Sequence, residues 1–416
     1  MAVTTPRLLV FSSLFPSAVQ PNAGVFIRER MFRVGKHLPI VVVAPQPWFP
    51  GQQLIRWACP HFRPMALKCE VMDGVVVHRP RFFCIPGVLK WTDGLFMALS
   101  SFLTVRRCVR DHRANIIDAH FGYPTGYAAV LLGRWLRLPV MLTLRGKEER
   151  QARTPVAVAL KRAISNADQV ITVSAALRAV AIEQGVDPTR VQVIGNGVDL
   201  TKFTAVPRLD ARRQLGLPDD AEVIVSVGTL VERKGFHRVI ECLPKLLPAH
   251  PSLHFVVVGG AGPEGDMAAR LQSLVRTLRL EDRVHFMGPL PSDRLKVPLS
   301  AANVFVLATS YEGWANVLLE AMACGLPVVT TDVGGNAQVV NDRSLGRIVS
   351  FGDSQRLQEA IHEALCTAWD RQSIRAYAES NSWDGRMQPL LDAYHQLLSR
   401  RRKENAQALA EMGNAG

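Results

Sequence analysis

Short apolar runs alternate with stretches of helical spacing along most of the chain. Runs rich in valine and isoleucine predict strands in the first half at Arg7–Phe11, Ile40–Ala44, Val75–His78, Ile116–Ala119, Pro139–Leu144, Val170–Val173 and Val191–Ile194. The second half repeats the pattern at Val223–Val227, His254–Val258, Val284–Met287, Val304–Ala308, Pro327–Thr330 and Arg347–Val349. Strands that alternate with helices form parallel sheets. We therefore predict an α/β protein with two doubly wound parallel-sheet domains in series, residues 1–200 and 201–383.

Sequence patterns also mark the domain boundary and the end of the chain. The Asn196–Gly197 pair predicts a turn, and Pro207 lies in the linker that follows. Residues 384–402 place apolar side chains at helical spacing and predict a long last helix. Residues 403–416 are small and polar, and we expect them to be frayed.

The composition limits the kinds of molecule that the protein is expected to bind. The 416 residues carry a formal net charge of +13, which favours anionic ligands and surfaces. The basic residues are scattered and accompany no nucleic-acid-binding motif, so nucleic acid is not an expected partner. No apolar run reaches the roughly 18 residues of a membrane span. The apolar start of the chain is short and leads into a strand pattern, so we assign it to the first strand rather than to a signal peptide.

The seven cysteines are dispersed and form no C-x-x-C pair. This pattern is typical of reduced thiols in a cytosolic protein. Cys59, His61 and Cys69 are close together in the sequence, but no fourth ligand accompanies them. We interpret them as loop residues rather than as a metal site.

The strongest chemical signal follows the strand Val304–Ala308. Glu312 falls in the turn after that strand, and Glu320 lies about two helical turns further on, in the predicted helix Trp314–Cys324. Open α/β sheets bind ligands at the carboxyl ends of their strands, and the first amides of a helix bind anions. Two carboxylates around an anion site suit a nucleotide sugar, which has hydroxyls at both ends and phosphates between them. The spacing by itself favours an ordinary strand–helix–strand unit with two solvated glutamates.

The whole segment EGWANVLLEAMACG, residues 312–325, resembles the donor site of the retaining glycosyltransferases of family 4. Its sequence most resembles that of family members that build exopolysaccharides and teichuronic acids. The resemblance implies that Glu312 contacts the donor sugar and that Glu320 holds the ribose hydroxyls. It also implies that the diphosphate is bound by the amides of Trp314, Ala315, Asn316 and Val317.

The resemblance covers nearly the whole chain and implies the GT-B architecture. In this architecture two Rossmann-like domains face a cleft. The first domain is the acceptor side, and the second binds the nucleotide sugar. A last helix, here residues 384–402, crosses back to the first domain.

Residues 228–235, GTLVERKG, extend the resemblance to the first loop of the second domain. Relatives carry an arginine where Thr229 stands and a lysine that matches Lys234, and both hold the diphosphate. This chain lacks that arginine, and Arg233 is the candidate for supplying the second positive charge. Two cations are needed because the leaving group gains negative charge in the transition state.

The first domain contributes further candidates. Gly24 matches the glycine that the family presents to the diphosphate, although a lone glycine is equally typical of a turn. His120 lies in the segment IIDAHFGYP, where the family's histidine faces the reacting sugar, although an isolated histidine is more often structural. Arg145 and Glu148 stand where many relatives have histidine and aspartate, and we assign both to the acceptor side.

Residues 260–265, GAGPEG, are a literal match to the G-x-G-x-x-G of dinucleotide-binding proteins. That fingerprint also requires an acidic residue at the end of the next strand, about 20 residues on. Glu281 and Asp282 instead precede the strand Val284–Met287. A nicotinamide-dependent dehydrogenase is therefore the weaker interpretation.

The segment Pro86–Arg113 is amphipathic. Its apolar residues are Leu89, Trp91, Leu95, Phe96, Leu99 and Phe102, and its basic residues are Lys90, Arg106, Arg107 and Arg110. Such a segment suits an anionic membrane surface. A helix that packs on the sheet and leaves its basic end in solvent is the slightly favoured explanation.

The sequence thus predicts a retaining glycosyltransferase of the hexosyltransferase type. We expect it to move a sugar from a nucleoside diphosphate donor to a glycan or lipid-linked glycan in exopolysaccharide or cell-surface polysaccharide synthesis. We expect no cofactor and no metal, since no Asp-x-Asp ends a strand. The expected location is the cytoplasm, with peripheral contact at the inner face of the plasma membrane. Two alternatives stay open: an epimerase of the same architecture, and a non-catalytic sugar-binding scaffold that would tolerate loss of Glu312.

Overall fold

The chain folds into two units, each built around a mostly parallel β-sheet. The computed structural model describes residues 5–21, 23–58, 62–262 and 265–414. Unit 1 comprises residues 1–196 together with 387–416, and unit 2 comprises residues 197–386. Cys59 and His61, which we considered as metal ligands, lie outside the described residues.

Unit 1 contains an eight-stranded sheet and a separate two-stranded sheet. Its strands are β1 (Leu8–Phe11), β2 (Ile40–Val43), β3 (Gln46–Trp48), β4 (Cys69–Met72), β5 (Val75–His78), β6 (Arg81–Phe83), β7 (Ile116–His120), β8 (Val140–Leu144), β9 (Gln169–Thr172) and β10 (Val191–Val193). The large sheet has the order β10-β9-β8-β7-β1-β2-β5-β4, and β3 pairs with β6. All of these pairs are parallel except β4 with β5.

The helices of unit 1 cover both faces of the large sheet, as a parallel sheet requires. Before the last helix they are α1 (Val25–Val34), α2 (Gln52–Ala58), α3 (Asp93–His112), α4 (Tyr127–Leu136), α5 (Glu148–Gln151), α6 (Ala157–Ser165) and α7 (Ala175–Glu183). The central strands β1, β7 and β8 are buried along their whole length, which explains why β1 is a continuous apolar run in the sequence.

Unit 2 contains one six-stranded parallel sheet. Its strands are β11 (Glu222–Val227), β12 (Leu253–Val258), β13 (Val284–Phe286), β14 (Val304–Leu307), β15 (Val328–Thr331) and β16 (Gly346–Val349), in the order β13-β12-β11-β14-β15-β16. Its helices are α8 (Arg208–Gln214), α9 (Phe236–Leu246), α10 (Ala268–Thr277), α11 (Lys296–Ala301), α12 (Asn316–Ala323), α13 (Asn336–Val339), α14 (Ser354–Cys366) and α15 (Arg371–Ser380). Two apolar clusters, one on each face, bury the sheet.

The last helix, α16 (Trp383–Asn414), is longer than the sequence predicted. We expected residues 403–416 to be frayed, and this is wrong as far as Asn414. The added turns are rich in good helix formers, and Gln407 donates a hydrogen bond to Glu411 one turn later at 3.1 Å. These local interactions favour continuation of the helix.

The strands that the sequence missed are short and lie at exposed positions. β3 and β6 pair only with each other, and β4 forms the antiparallel edge of the large sheet. Apart from the buried Phe82, their residues are half-buried or exposed, so these strands lack the continuous apolar run that marks a central strand. Among the described residues, no helix is long and apolar enough to cross a membrane.

Candidate active site

The candidate donor site lies where the strand order of unit 2 reverses. The chain leaves β11 toward β12 and β13 on one side and then returns to place β14 on the other side of β11. In doubly wound sheets, ligands bind at the carboxyl ends of the strands at such a switch point. The loops that follow β11 and β14 carry Lys234 and Glu312, so the topology itself brings the predicted donor residues together.

Glu312 forms the centre of a charged cluster with the two predicted cations. Its Oε1 accepts hydrogen bonds from Lys234 Nζ at 2.5 Å, from Arg233 Nη1 at 3.0 Å and from Thr309 Oγ1 at 3.3 Å. The Glu312 side chain is 10% exposed and that of Lys234 is 14% exposed. In this structure the carboxylate therefore neutralises two cations that a bound anion could otherwise use.

The loop conformation explains how two neighbouring residues reach the same carboxylate. Residues Glu232–Lys234 form a single 3₁₀ turn, and the Arg233 carbonyl accepts a hydrogen bond from the amide of Ser310 at 2.8 Å. Gly235 follows with φ 76°, and a Cβ there would lie 1.9 Å from the Ala308 carbonyl oxygen. Only glycine allows this conformation and this approach, so the β11 loop packs directly against the end of β14.

The helix after Glu312 begins later than the sequence predicted. The predicted helix started at Trp314, but α12 starts at Asn316, because Ala315 has a non-helical ψ of 88° and serves as its N-cap. Leu318 N donates to the Ala315 carbonyl at 3.0 Å and closes the first turn. Val317 lies in this first turn, and Glu320 lies further along the helix and is half-buried.

Trp314 is half-buried beside this helix start. Its indole N–H is buried and has no hydrogen-bond partner among the described residues. A buried donor without a partner calls for an explanation, and a ligand that supplies an acceptor is one.

Unit 1 has a switch point of the same kind between β1 and β7. Gly24 lies in the segment that links β1 to α1 and forms the N-cap of α1 with φ 70°. A Cβ at Gly24 would lie 2.4 Å from the Leu14 carbonyl oxygen, so the loop requires glycine here. The tight turn places Gly24 at the amino-terminal end of α1.

His120 is the last residue of β7 and is fully buried. Arg145 Nη2 lies 3.2 Å from His120 Nδ1, and Asp118 Oδ2 lies 3.7 Å from His120 Nε2. Because a guanidinium can only donate, Nδ1 is the acceptor, and the ring proton is on Nε2, toward the carboxylate. Burial and the charge of Arg145 lower the pKa of His120 well below its ordinary value, so the ring is neutral.

Asp118 and Tyr394 complete the network around His120, and the sequence analysis missed both. The Tyr394 hydroxyl donates to Asp118 Oδ2 at 2.7 Å. Burial raises the pKa of Asp118 to about 6, while the hydrogen bond from Tyr394 and the charges of Arg30 and Arg145 oppose the rise. The period of two along β7 places Asp118 and His120 on one face and was the available signal. Tyr394 is distant in the sequence, and no sequence signal pointed to it.

An Asp118→Asn variant is expected to change the pH dependence of stability. Asp118 titrates near pH 6 in the folded state and near pH 3.9 in an unfolded chain. The folded state holds this proton more tightly, so the contribution of Asp118 to stability is greatest below about pH 4 and falls as pH rises through 6. Relative to the variant, the wild type should lose about 2 kcal/mol of unfolding free energy between about pH 4 and 7.

Urea unfolding of both proteins at several pH values measures this difference, and Asp392→Asn is the matched control because Asp392 is exposed on the same helix as Tyr394. A wild-type-to-variant difference that does not change with pH would contradict the assigned titration of Asp118.

Glu148 is buried and holds the backbone of its own loop. Its Oε1 accepts from the amide of Gly122 at 3.0 Å, and its Oε2 accepts from the amides of Arg145 and Gly146 at 3.2 and 2.7 Å. Both oxygens are thus used within the protein. We assigned Glu148 to the acceptor side, and in this structure it positions the loop that carries Arg145 instead of presenting a carboxylate to a ligand.

The GAGPEG segment follows β12, which pairs with β11 and β13 and is not at the switch point. Gly262 and Gly265 form an isolated bridge, and α10 begins only at Ala268. Pro263 and Glu264 lie outside the described residues. A dinucleotide fingerprint opens a helix directly after its glycines, so this geometry does not favour a dehydrogenase.

Two family models match the chain, one in each half. Residues 55–202 match the model described as Glycosyltransferase Family 4, and residues 207–381 match the model described as Glycosyl transferases group 1. A Bacillus subtilis protein named for teichuronic acid biosynthesis, the glycosyltransferase TuaC, is 29% identical over 85% of this chain and 88% of its own length. The D-inositol 3-phosphate glycosyltransferase of Acidothermus cellulolyticus is 34% identical over 54% of this chain and 52% of its own.

Solved structures show the same fold at low sequence identity. Sucrose-phosphate synthase from Thermosynechococcus elongatus has a TM-score of 0.69 and 22% identity, over 97% of this chain and 100% of its own. Anabaena HepE, solved in complex with UDP and glucose, has a TM-score of 0.71 and 21% identity, over 94% of this chain and 99% of its own. The family models confirm the family predicted from the sequence, and these neighbours confirm the fold class: the chain belongs to the glycosyltransferases of family 4 and has the GT-B fold.

Proposed function

We propose that this glycosyltransferase transfers a sugar from a nucleoside diphosphate donor with retention of anomeric configuration. The observation that carries the proposal is the convergence of Arg233, Lys234 and Glu312 at the switch point of unit 2, beside the start of α12. Positive charge and helix amides at one sheet edge suit a diphosphate, and a carboxylate next to them suits sugar hydroxyls.

The proposed role of the cluster depends on an exchange of partners. In the structure Glu312 neutralises both cations. A bound diphosphate would take over Lys234 and Arg233, together with the amides near Trp314 and Val317. Glu312 would then be released to hold the hydroxyls of the donor sugar, while Glu320 holds the ribose. The ion pairs of Glu312 with Lys234 and Arg233 are thus given up only when the diphosphate binds the two cations in its place.

The proposed transfer step needs charge stabilisation more than a protein nucleophile. The bond from the anomeric carbon to the diphosphate oxygen breaks, and its electron pair leaves on the diphosphate. The acceptor oxygen bonds to the same face of the sugar, and its proton passes to the departing phosphate oxygen. Lys234 and Arg233 stabilise the charge that develops on that leaving group. We propose that this step needs no metal at the donor site.

For unit 1 the proposal follows the family resemblance. His120 is proposed to act at the reacting sugar and Gly24 at the diphosphate. The neutral ring of His120 is fully buried and accepts a hydrogen bond from Arg145, which fixes its orientation, as a positioning role requires. Arg145 is proposed to act on the acceptor side mainly through His120 and Asn196, which its guanidinium contacts.

Relatives support the choice of donor and product class. HepE has been solved with UDP and with UDP-glucose, and TuaC is named for teichuronic acid biosynthesis. We propose a nucleoside diphosphate sugar as donor and a glycan or lipid-linked glycan as acceptor, in exopolysaccharide or cell-surface polysaccharide synthesis. The D-inositol 3-phosphate glycosyltransferase of Acidothermus cellulolyticus matches about half of this chain, so it says less about its acceptor.

We also propose that the protein works in the cytoplasm at the inner face of the plasma membrane, through α3. This helix packs on α4 and β6 with Met97, Ala98 and Val105, and the opposite face is solvent-exposed. Every fourth residue of that face is apolar, with exposed fractions of 42, 53 and 63% for Leu95, Leu99 and Leu103, and Trp91, in the turn just before the helix, is 59% exposed.

The exposed stripe of α3 continues into the exposed Arg106 and Arg107. The preferred sequence interpretation, a helix with only its basic end in solvent, does not account for this apolar stripe. Apolar side chains followed by basic ones fit the boundary between the acyl chains and the anionic headgroups of a membrane.

A triple variant with serine at Leu95, Leu99 and Leu103 is expected to bind anionic vesicles about 100-fold more weakly. Each half-exposed leucine that enters the membrane contributes about 1 kcal/mol. Co-sedimentation with vesicles containing phosphatidylglycerol measures the partition, and Leu209→Ser, at an equally exposed leucine of unit 2, is the control. Unchanged binding in the triple variant, or no binding of the wild type at low salt, would contradict the membrane proposal.

The function itself is tested by following donor and product together. The protein is incubated with each nucleoside diphosphate sugar, with and without a lipid-linked glycan acceptor, and the anomeric configuration of the product is read by NMR. Retention in an acceptor-dependent product supports the proposal. An inverted product would contradict the retaining mechanism, and consumption of donor without acceptor would favour an epimerase.

A further inference from the structure

A group of histidine and cysteine side chains lies at the amino-terminal edge of the sheet of unit 2. His250 is in the turn that precedes β12, and Glu222 is the first residue of β11. His362 and Cys366 lie one turn apart on α14, so they share a face of that helix. The candidate donor site is at the carboxyl ends of the same strands, which is the opposite edge of the sheet.

The three side chains converge in metal-ligand geometry. His250 Nε2 lies 2.9 Å from His362 Nδ1, and Cys366 Sγ lies 4.0 Å from His362 Nδ1. The ligand atoms of His250, His362 and Cys366 all lie within 4.8 Å of one another. Neighbouring ligand atoms of a tetrahedral zinc site are about 3.3–3.6 Å apart. The two nitrogens would therefore separate slightly, and the sulfur would move in.

Glu222 gives His250 the tautomer that a metal needs. Its Oε2 lies 2.9 Å from His250 Nδ1, and a carboxylate can only accept, so Nδ1 carries the proton. Nε2 then has its lone pair directed at His362 Nδ1, and the two rings share one proton. A carboxylate behind a histidine is the usual outer partner of a metal-bound imidazole. A divalent ion can replace that shared proton and the proton of the Cys366 thiol.

We propose that His250, His362 and Cys366 bind a zinc ion, with Glu222 as the outer partner of His250. Two imidazoles and one thiolate form a borderline-soft ligand set that suits Zn²⁺. The fourth position is open to water because His362 and Cys366 are exposed. The ion would join the turn before β12 to the end of α14 and would stabilise unit 2. It takes no part in sugar transfer, so the metal-free donor site proposed above is unaffected.

The test uses the full-length protein without a polyhistidine tag, after treatment with EDTA. Calorimetric titration with ZnCl2 is expected to show one equivalent bound at micromolar or lower Kd, together with a higher melting temperature. Titration with Co²⁺ is expected to produce the charge-transfer absorption of a cobalt–thiolate bond. Cys366→Ser should remove this absorption, and Cys366→Ser and His362→Ala should each weaken zinc binding by at least roughly tenfold.

Two exposed residues of unit 1 provide matched controls. Cys69→Ser and His395→Ala remove the same side-chain types outside unit 2 and should leave zinc and cobalt binding unchanged. His362 and Cys366 are exposed, so their variants are expected to fold, which circular dichroism checks. Absence of zinc binding to the wild type, or equal binding by Cys366→Ser and His362→Ala, would overturn the proposal whatever the transferase assay shows.

Discussion

Replacing Glu312 with alanine is expected to lower kcat for sugar transfer by about 100-fold or more while the protein stays folded. The substitution removes the carboxylate that we assign to the donor sugar. It also leaves Arg233 and Lys234 without the acceptor that holds them in place before the donor binds. Steady-state kinetics with the preferred donor measures the effect. The loss should fall mainly on kcat, because hydroxyl contacts that orient the reacting sugar are strengthened in the transition state.

Glu232→Ala is the matched control for Glu312→Ala. Glu232 lies in the same 3₁₀ turn as the two cations, but its side chain is 62% exposed and pairs with Arg270 at the surface. Such a pair contributes about 0–1 kcal/mol to stability, and we expect no change in kcat. Full activity in Glu312→Ala, with a normal melting temperature, would remove Glu312 from the mechanism and favour a scaffold or another site.

Lys234→Ala is expected to reduce kcat/KM by about 100-fold, and Arg233→Ala by about tenfold. Lys234 places its ammonium in the cluster, with Glu312 as its hydrogen-bond partner there. Arg233 divides its guanidinium between Glu312 and the Tyr311 carbonyl and is more exposed. Part of its role is thus to hold the loop after β14. The relative size of the two losses in kcat/KM shows how Lys234 and Arg233 share the stabilisation of the diphosphate charge.

Lys245→Ala is the control for net charge, since Lys245 is exposed on α9 near the end of that helix. Equal losses in Lys234→Ala and Arg233→Ala would give Arg233 the role of the arginine that is absent at Thr229. Unchanged donor binding in Lys234→Ala would contradict the assignment of the diphosphate to this loop.

The sequence predicted the sheets well because their strands are buried on both faces. A strand such as β1 or β14 must be continuously apolar, and that pattern is readable without any tertiary information. β4 is an antiparallel edge strand with alternating exposure, and its pairing depends on β5 being in place. The extension of α16 to Asn414 depends on local helix propensity, which we underweighted because the segment lacks an apolar stripe.

The candidate donor residues could be named from the sequence, whereas the network in unit 1 was only partly predictable. The family resemblance singled out Glu312 and Lys234, and the strand order explains why they meet. The network around His120 depends on Tyr394, which contacts Asp118 from a helix more than two hundred residues later in the chain. No local pattern encodes such a contact. The group at His250 and His362 was not predicted from the sequence for the same reason, because its members come from separate elements.

The measurement that tests the central claim most directly is a thermal-shift titration against a panel of nucleoside diphosphate sugars, with NAD and NADP included. A ligand at 100 times its Kd adds about 2.7 kcal/mol to the stability of the protein that binds it. We predict a clear shift with one nucleoside diphosphate sugar in the wild type and no shift with the same ligand in Lys234→Ala. A shift with NAD or NADP alone, or a nucleotide-sugar shift that survives in Lys234→Ala, would contradict the donor site proposed at the switch point of unit 2.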